Sequence, residues 1–277
     1  MKPAAFDYVR PTTLVDAAAA LGEDGVTTAA IAGGQSLMPM LNLRVVLVDR
    51  VVDISRLEEL KAVRETPDNL QIGALTTHAG IEDGKIPDIH NGLLRRVAGQ
   101  ISYRAVRNHG TIGGSVALAD PSADWPACLI ALGAQVRIAG RDATRSEPVA
   151  EFVRDAYTTS LIPGEIVLGF DLPRPAVPLR WGFAKTAPKS GAFATSIAIV
   201  TASGQGGPVS VVLSAVGSRP HILPRTAEGL GQQPGSEEHL RAAIATDLER
   251  EAPSADPYQR RLHTATILRA IREMRAQ

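Results

Sequence analysis

Two stretches of this chain place a Gly-Gly pair where an apolar run hands over to the next element: AIAGGQSL at 30–37 and NHGTIGGSVALAD at 108–120. Glycine gives up side-chain contacts and costs backbone entropy. It is used where the chain needs φ > 0, or where other atoms must come close to bare N–H groups. In both stretches a hydroxyl follows the glycines. Backbone N–H and Ser O–H donors that converge in this way bind anions, phosphate above all, without a charged side chain. Two such loops from different parts of a fold can grip a pyrophosphate between them. Neither stretch matches GxGxxG after a strand or GxxxxGK[ST], so the familiar dinucleotide and P-loop fingerprints are absent. On residues alone, each pair also reads as a tight turn with no ligand.

The rest of the composition narrows the partners. A chain of 277 residues is long enough for two domains or one large one, and its 44% hydrophobic content supports a sizeable core. Lys plus Arg and Asp plus Glu both number 29, and aromatic residues are only 4%. Neither a basic excess nor a base-stacking platform is present, which argues against nucleic acid. The single cysteine, Cys128, sits in an apolar run and reads as a small buried hydrophobe. One thiol cannot hold an iron–sulfur cluster, and cysteines alone cannot make a zinc site here. His78, His90, His109, His221, His239 and His263 show no metal-ligand spacing. The N-terminal MKPAAFDYVRPTTL lacks a signal-peptide core, and no run approaches ~18 apolar residues, so the chain reads as soluble and cytoplasmic.

Along the chain, TTLVDAAAALG (12–22) predicts a helix capped by Thr13, with Asp16 at the capping-box position and Gly22 closing it. Thr28–Ala32 and the following VVLV run read as strands, and LKAVRETPDNLQIGAL as a hairpin turning at Pro67-Asp68-Asn69. Residues 88–99 predict a helix, and another starts at Asp124-Trp125-Pro126, where proline needs no N–H. Residues 134–139 and 165–172 read as strands. PRPAVPL (173–179) is the best linker candidate. After it come three strand-like runs, RWGFAK, TSIAIVTA and VSVVLSAVG, with GQGGP between the last two. Helices at 236–250 and 257–276 follow. The pattern is α+β, split near residue 175.

The wider strings carry a resemblance. AIAGGQSLMPMLNLR (30–44) and VRNHGTIGGSVALADPSADWPACLIALGAQV (106–136) strongly resemble the FAD-binding medium subunit of the molybdenum hydroxylases, the xanthine dehydrogenase and carbon monoxide dehydrogenase family. GEIVLGFDLP, WGFAK, GAFATS and DPYQRRLHTATILRAI extend it, in order, over nearly the whole chain. The resemblance implies a two-lobed FAD-binding domain of the p-cresol methylhydroxylase type at 1–175, with lobes of about 1–55 and 56–175. A smaller C-terminal domain at 176–277 would hold a three-stranded antiparallel sheet and helices. It implies non-covalent FAD as the chain's own cofactor. The molybdenum cofactor would lie in a large partner subunit and two [2Fe–2S] clusters in a small one, in a dimer of heterotrimers. The chain would then pass electrons from the cluster-bearing subunit to an external acceptor. A free-standing FAD-dependent oxidoreductase and a scaffold that has lost FAD are the competing readings.

By the same resemblance, Ala32, Gly33, Gly34, Gln35 and Ser36 form the first phosphate loop, and Thr111, Ile112, Gly113, Gly114 and Ser115 the second. Asp124 matches an acidic position that contacts FAD; on residues alone it is also a helix N-cap. Ile166 or Val167 falls where an apolar residue meets the cofactor. Lys185 matches a lysine near the flavin, where an ammonium would favour the anionic reduced ring. Phe193 stands where some relatives carry a tyrosine over the ring, keeping the apolar cover and losing the hydroxyl. Thr76 and Thr77, beside His78, lie in a segment that borders FAD in relatives. His109 reads as solvated or bonded to backbone.

Overall fold

The computed structural model describes residues 2–141, 143–204, 206–231 and 237–277. The N-terminal lobe is built on a parallel sheet of β1 (Asp7–Val9), β2 (Thr28–Ile31) and β3 (Arg50–Asp53), in the order β1-β3-β2. Parallel neighbours need crossover connections, and α1 (Leu14–Leu21) and α2 (Leu37–Asn42) lie within them. The α1 helix starts as its sequence predicts: Thr13 Oγ1 accepts from the Asp16 amide at 3.1 Å. Its Ala17 and Ala18 bury against Val52, Leu57 and Leu60. The VVLV run is not a strand. Its Val45 and Leu47 are 69% and 63% exposed, and pairing begins only at Arg50, opposite Asp7 and Thr28.

After a 3-10 turn at Glu58–Leu60 comes the second lobe, an antiparallel sheet ordered β4-β5-β10-β6-β7. Its strands are β4 (Val63–Glu65), β5 (Asn69–Gly73), β6 (Gln135–Ala139), β7 (Thr144–Pro148) and β10 (Ile166–Pro173). The β4–β5 hairpin turns where the sequence places it, with Thr66 Oγ1 accepting from the Asn69 amide at 3.0 Å. Between β5 and β6 run α3 (His78–Glu82), α4 (Leu93–Gly99), α5 (Arg104–Arg107), α6 (Ile112–Leu118) and α7 (Asp124–Ala131). The expected helix over 88–99 forms only from Leu93. Asn91 and Gly92 are left-handed, at φ 53° and 84°, and Asp88 Oδ1 accepts from the Gly92 amide at 2.9 Å. Every residue of α7 is buried, Cys128 included, and burial pushes that thiol up. Between β7 and β10 lie α8 (Val149–Phe152), β8 (Val153–Asp155) and β9 (Thr158–Thr159).

The C-terminal part has the three antiparallel strands expected, β11 (Leu179–Thr186), β12 (Ser196–Ser203) and β13 (Val209–Ser214), plus the two-residue β14 (His221–Ile222). The helices α9 (Pro224–Gly231), α10 (Glu237–Glu251) and α11 (Pro257–Arg275) complete it. Residue 236 of the expected helix and Gln205 of the GQGGP turn lie outside the described residues. The β12 strand explains its continuous apolar run: Ile197 and Ile199 face one core, and Ala198, Val200 and Ala202 face another. A strand covered on both sides needs no polar face. The first of these cores also holds Trp125, Leu129, Phe170, Trp181 and Phe183, so packing is continuous across residue 175. Among the described residues, no helix is long and apolar enough to cross a membrane.

Candidate functional site

The two glycine motifs are more than 70 residues apart in sequence and meet in space. The first leaves β2 at Ile31 and turns through Gly34, at φ 71°, into α2. Gly33 lies so close to the second segment that a Cβ there would sit 1.9 Å from the His109 carbonyl oxygen. Only glycine permits that approach. Among the described residues, the amides of Gly33, Gly34, Gln35 and Ser36 donate to nothing in the chain. Gln35 Nε2 donates to the Gly33 carbonyl at 3.2 Å, and Ser36 makes no capping bond with its hydroxyl.

The second motif is not a loop. Thr111 is the N-cap of α6, accepting from the Gly114 amide at 3.1 Å, and both glycines lie in the helix's first turn. The amides of Ile112 and Gly113 donate to the carbonyls of Thr76 and Ala74 at 3.0 and 2.9 Å, and that of Ser115 to the Thr111 carbonyl. The sequence reading of converging bare N–H donors therefore describes AGGQS and not TIGGS. Glycine is needed in the second motif for contact: a Cβ on Gly113 would lie 2.4 Å from that of Ala74.

Between the motifs opens a cavity of about 1000 Å³, at the large end of the ~300–1,000 Å³ typical of small-molecule sites. Of the fifteen residues singled out from the sequence, all but Ile112 line it; the Ile112 side chain is fully buried in the core. Ile166 and Val167 present the start of β10. Phe193 belongs to the loop before β12 and is 69% exposed, so it is not a core strand aromatic. His109 is exposed and does not line the cavity, and neither do Thr76 and Thr77. Thr77 caps α3 through the Gly80 amide, and the Thr76 hydroxyl is buried without a partner.

Asp124 and Lys185 form one unit in the cavity wall. Lys185 Nζ donates to Asp124 Oδ2 at 2.8 Å and to the Gln100 carbonyl at 3.2 Å. Asp124 is the first residue of α7 but caps nothing; Ala123 holds the N-cap position. Burial pushes its carboxyl up to about 6, against the pull of Lys185. Its Oδ1 is buried with no partner. Buried polar atoms normally have one, so this oxygen is set to accept from a ligand hydroxyl or N–H. Bare amides for an anion, an acceptor for a sugar or ring N–H, and apolar walls at Ile166, Val167 and Phe193 together fit a flavin dinucleotide.

The cavity also includes a residue that the sequence reading did not select. His78 is 5% exposed, lines the cavity, and accepts at Nδ1 from Trp125 Nε1 at 2.9 Å. Burial, with Arg107 nearby, lowers its pKa to about 4. Its partner is 47 positions away, so no local spacing betrays the pair. Among the described residues, no group of His, Cys, Asp and Glu could hold a metal ion.

The family described as the FAD binding domain in molybdopterin dehydrogenase matches residues 4–175. The chain belongs to that family. It is 30% identical to caffeine dehydrogenase subunit beta of Pseudomonas sp. (strain CBB1), across 98% of this chain and 95% of that protein. With 6-hydroxypseudooxynicotine dehydrogenase complex subunit alpha of Paenarthrobacter nicotinovorans it shares 37% identity, over 63% of this chain and 59% of that one. Its fold matches a chain of the carbon monoxide dehydrogenase from Hydrogenophaga pseudoflava with TM-score 0.93 and 29% identity, covering 100% of this chain and 99% of that one. This member is thus an FAD-binding oxidoreductase subunit of the molybdenum hydroxylase type.

Proposed function

We propose that this chain is the electron-transfer subunit of a molybdenum hydroxylase complex, taking electrons from a [2Fe–2S] partner subunit and passing them to an external acceptor. Its partners would be a large molybdenum-cofactor subunit and a small iron–sulfur subunit, in a dimer of heterotrimers in the cytoplasm. Residues 1–175 would form the FAD-binding domain and 176–277 the C-terminal domain. The observation that carries this reading is the single cavity in which both glycine motifs, Asp124 and Lys185 converge. Bound flavin supplies the means to take electrons singly from a cluster and release one or two.

The chain's own residues bind and orient. The amides of Gly33, Gly34, Gln35 and Ser36 offer donors to the pyrophosphate without a charged side chain. Asp124 Oδ1 would accept from the cofactor, and Ile166, Val167 and Phe193 would supply apolar surface. Lys185, held in place by Asp124 and the Gln100 carbonyl, would offer an ammonium to the flavin. No general acid, base or nucleophile is required of the site. The test is purification of the native complex. Near one-to-one FAD released by heat, together with co-purifying molybdenum and iron–sulfur subunits, supports the reading. A chain that stays flavin-free when FAD and those partners are supplied overturns it.

A further inference from the structure

The second motif leaves its end of the cavity short of hydrogen-bond donors, because the amides of Ile112, Gly113, Gly114 and Ser115 are all used inside the chain. The segment that takes up two of them is 74–78, and it ends at His78, whose own amide donates to the Gly110 carbonyl at 2.9 Å. The His78 ring therefore stands beside the motif, with Gly110 beneath its edge. A Cβ on Gly110 would lie 2.8 Å from both Cδ2 and Nε2. Both residues line the cavity. Indole N–H can only donate, so the Trp125 bond makes Nδ1 an acceptor and places the neutral ring's proton on Nε2. That Nε2 has no partner among the described residues.

We propose that His78, locked by Trp125 as its Nε2–H tautomer, donates a hydrogen bond to an oxygen of the bound flavin dinucleotide at the TIGGS end of the cavity. This rests on the FAD reading above. Trp125 is a positioning residue, acting through the ring. Burial keeps the ring neutral, and the charged groups around it do not oppose this. Arg107 on α5 disfavours a second positive charge, while Glu82 on α3 is taken up by Arg107 and Arg104. Asp83 pairs with Arg104, and Asp124, next to Trp125, pairs with Lys185. A neutral donor contributes the same bond across the physiological pH range, which a histidine free to protonate or change tautomer would not.

The test is FAD titration of the full-length, flavin-stripped chain by fluorescence quenching from pH 5.5 to 8, with thermal melts to verify folding. His78→Leu is expected to weaken binding roughly three- to tenfold. His78→Gln, whose amide nitrogen falls near the position of Nε2, should stay within about twofold of wild type, and His78→Asn should not rescue. Wild type and His78→Leu are expected to share any change with pH, which belongs to the Asp124 carboxyl at about 6, so their affinity ratio stays constant from pH 5.5 to 8. Trp125→Phe should bind more weakly than wild type throughout this range, because the freed ring can place its proton on Nδ1 instead of Nε2. Equal affinity of His78→Leu and wild type overturns the proposal, as does His78→Gln binding as weakly as His78→Leu while folded. If His78→Leu does not fold, the Gln and Asn variants carry the same comparison. A wild-type chain that takes up no FAD overturns the cofactor reading itself, an outcome distinct from either of these.

Discussion

AGGQS and TIGGS look like two copies of one device, and the structure gives them different work. The first glycine of each pair is spent on close contact, Gly33 against the His109 carbonyl and Gly113 against Ala74. The motifs differ in what their amides do. The first leaves four N–H groups unpaired at the cavity wall, whereas the second has turned its N–H groups into a helix turn and a seam with residues 74–76. An open turn keeps its donors available to an anion; a paired one is scaffold that places Thr111, Gly114 and Ser115 in the wall.

The strongest test of this contrast is steric. Gly33→Ala and Gly113→Ala are each expected to cost about 3 kcal/mol of stability in the flavin-free chain, because the new methyl meets atoms of the backbone or a packed alanine. Thermal melts decide. A Gly113→Ala chain of undiminished stability that nonetheless loses FAD would mean the second motif is a ligand loop after all.

Next in size is a pH effect on the second motif's side of the cavity. The Asp124 carboxyl sits at about 6 when folded, above its ordinary 3.8, so the fold holds that proton more tightly than the unfolded chain does. Its contribution favours the fold at low pH and is lost as pH rises from about 4 to 6. His78 does the reverse. Lowered from 6.5 to about 4, it contributes fully above pH 6.5 and loses that contribution as pH falls toward 4. Each is worth at most roughly 3 kcal/mol, and they oppose each other over the same window. Asp124→Asn should therefore uncover a stability that climbs between pH 4 and 6.5, where the wild-type profile is flatter. Chemical denaturation at stepped pH measures this; an unchanged slope would show that the two groups do not offset.

The smallest effects separate the motifs most cleanly. Thr111→Ala removes the cap on Gly114 and is expected to cost about 1 kcal/mol of stability. Ser36 makes no cap bond, so Ser36→Ala should leave stability within about 0.5 kcal/mol while weakening FAD binding roughly three- to tenfold. If Ser36→Ala instead destabilised the flavin-free chain as much as Thr111→Ala, the distinction between grip and scaffold would collapse.

Much of the architecture was legible because its causes are local. Thr13 before an alanine-rich run, Pro67-Asp68 between alternating residues, and the 3.6-residue apolar period over 257–276 each settle an element from neighbours a few positions away. The misreadings have non-local causes. The VVLV run has the composition of a strand, but the two strands that pair with this part of the chain are positioned opposite Arg50 onward. The helix expected from residue 88 is cut short by the left-handed Asn91 and Gly92. The candidate site was legible as a set of residues, through the motif strings and their order. The state of those residues was not: the TIGGS turn, the clamp of Asp124 and Gln100 on Lys185, the exposed Phe193 and the Trp125–His78 pair are all tertiary facts.

By itself, then, the sequence determined an α+β chain with two glycine pairs, a core of ordinary size, no cysteine set for a cluster, and a motif order that belongs to FAD-binding subunits. Tertiary structure alone decided which backbone N–H groups remain free for a ligand. A glycine specifies how closely something can approach, but not what approaches. At Gly113 it is a helix seam with Ala74, 39 positions back in the chain; at Gly33 it is the His109 carbonyl, 76 positions ahead. Whether an amide is spent or available depends on the carbonyl within about 3 Å of it, and folding, rather than local sequence, brings that carbonyl there.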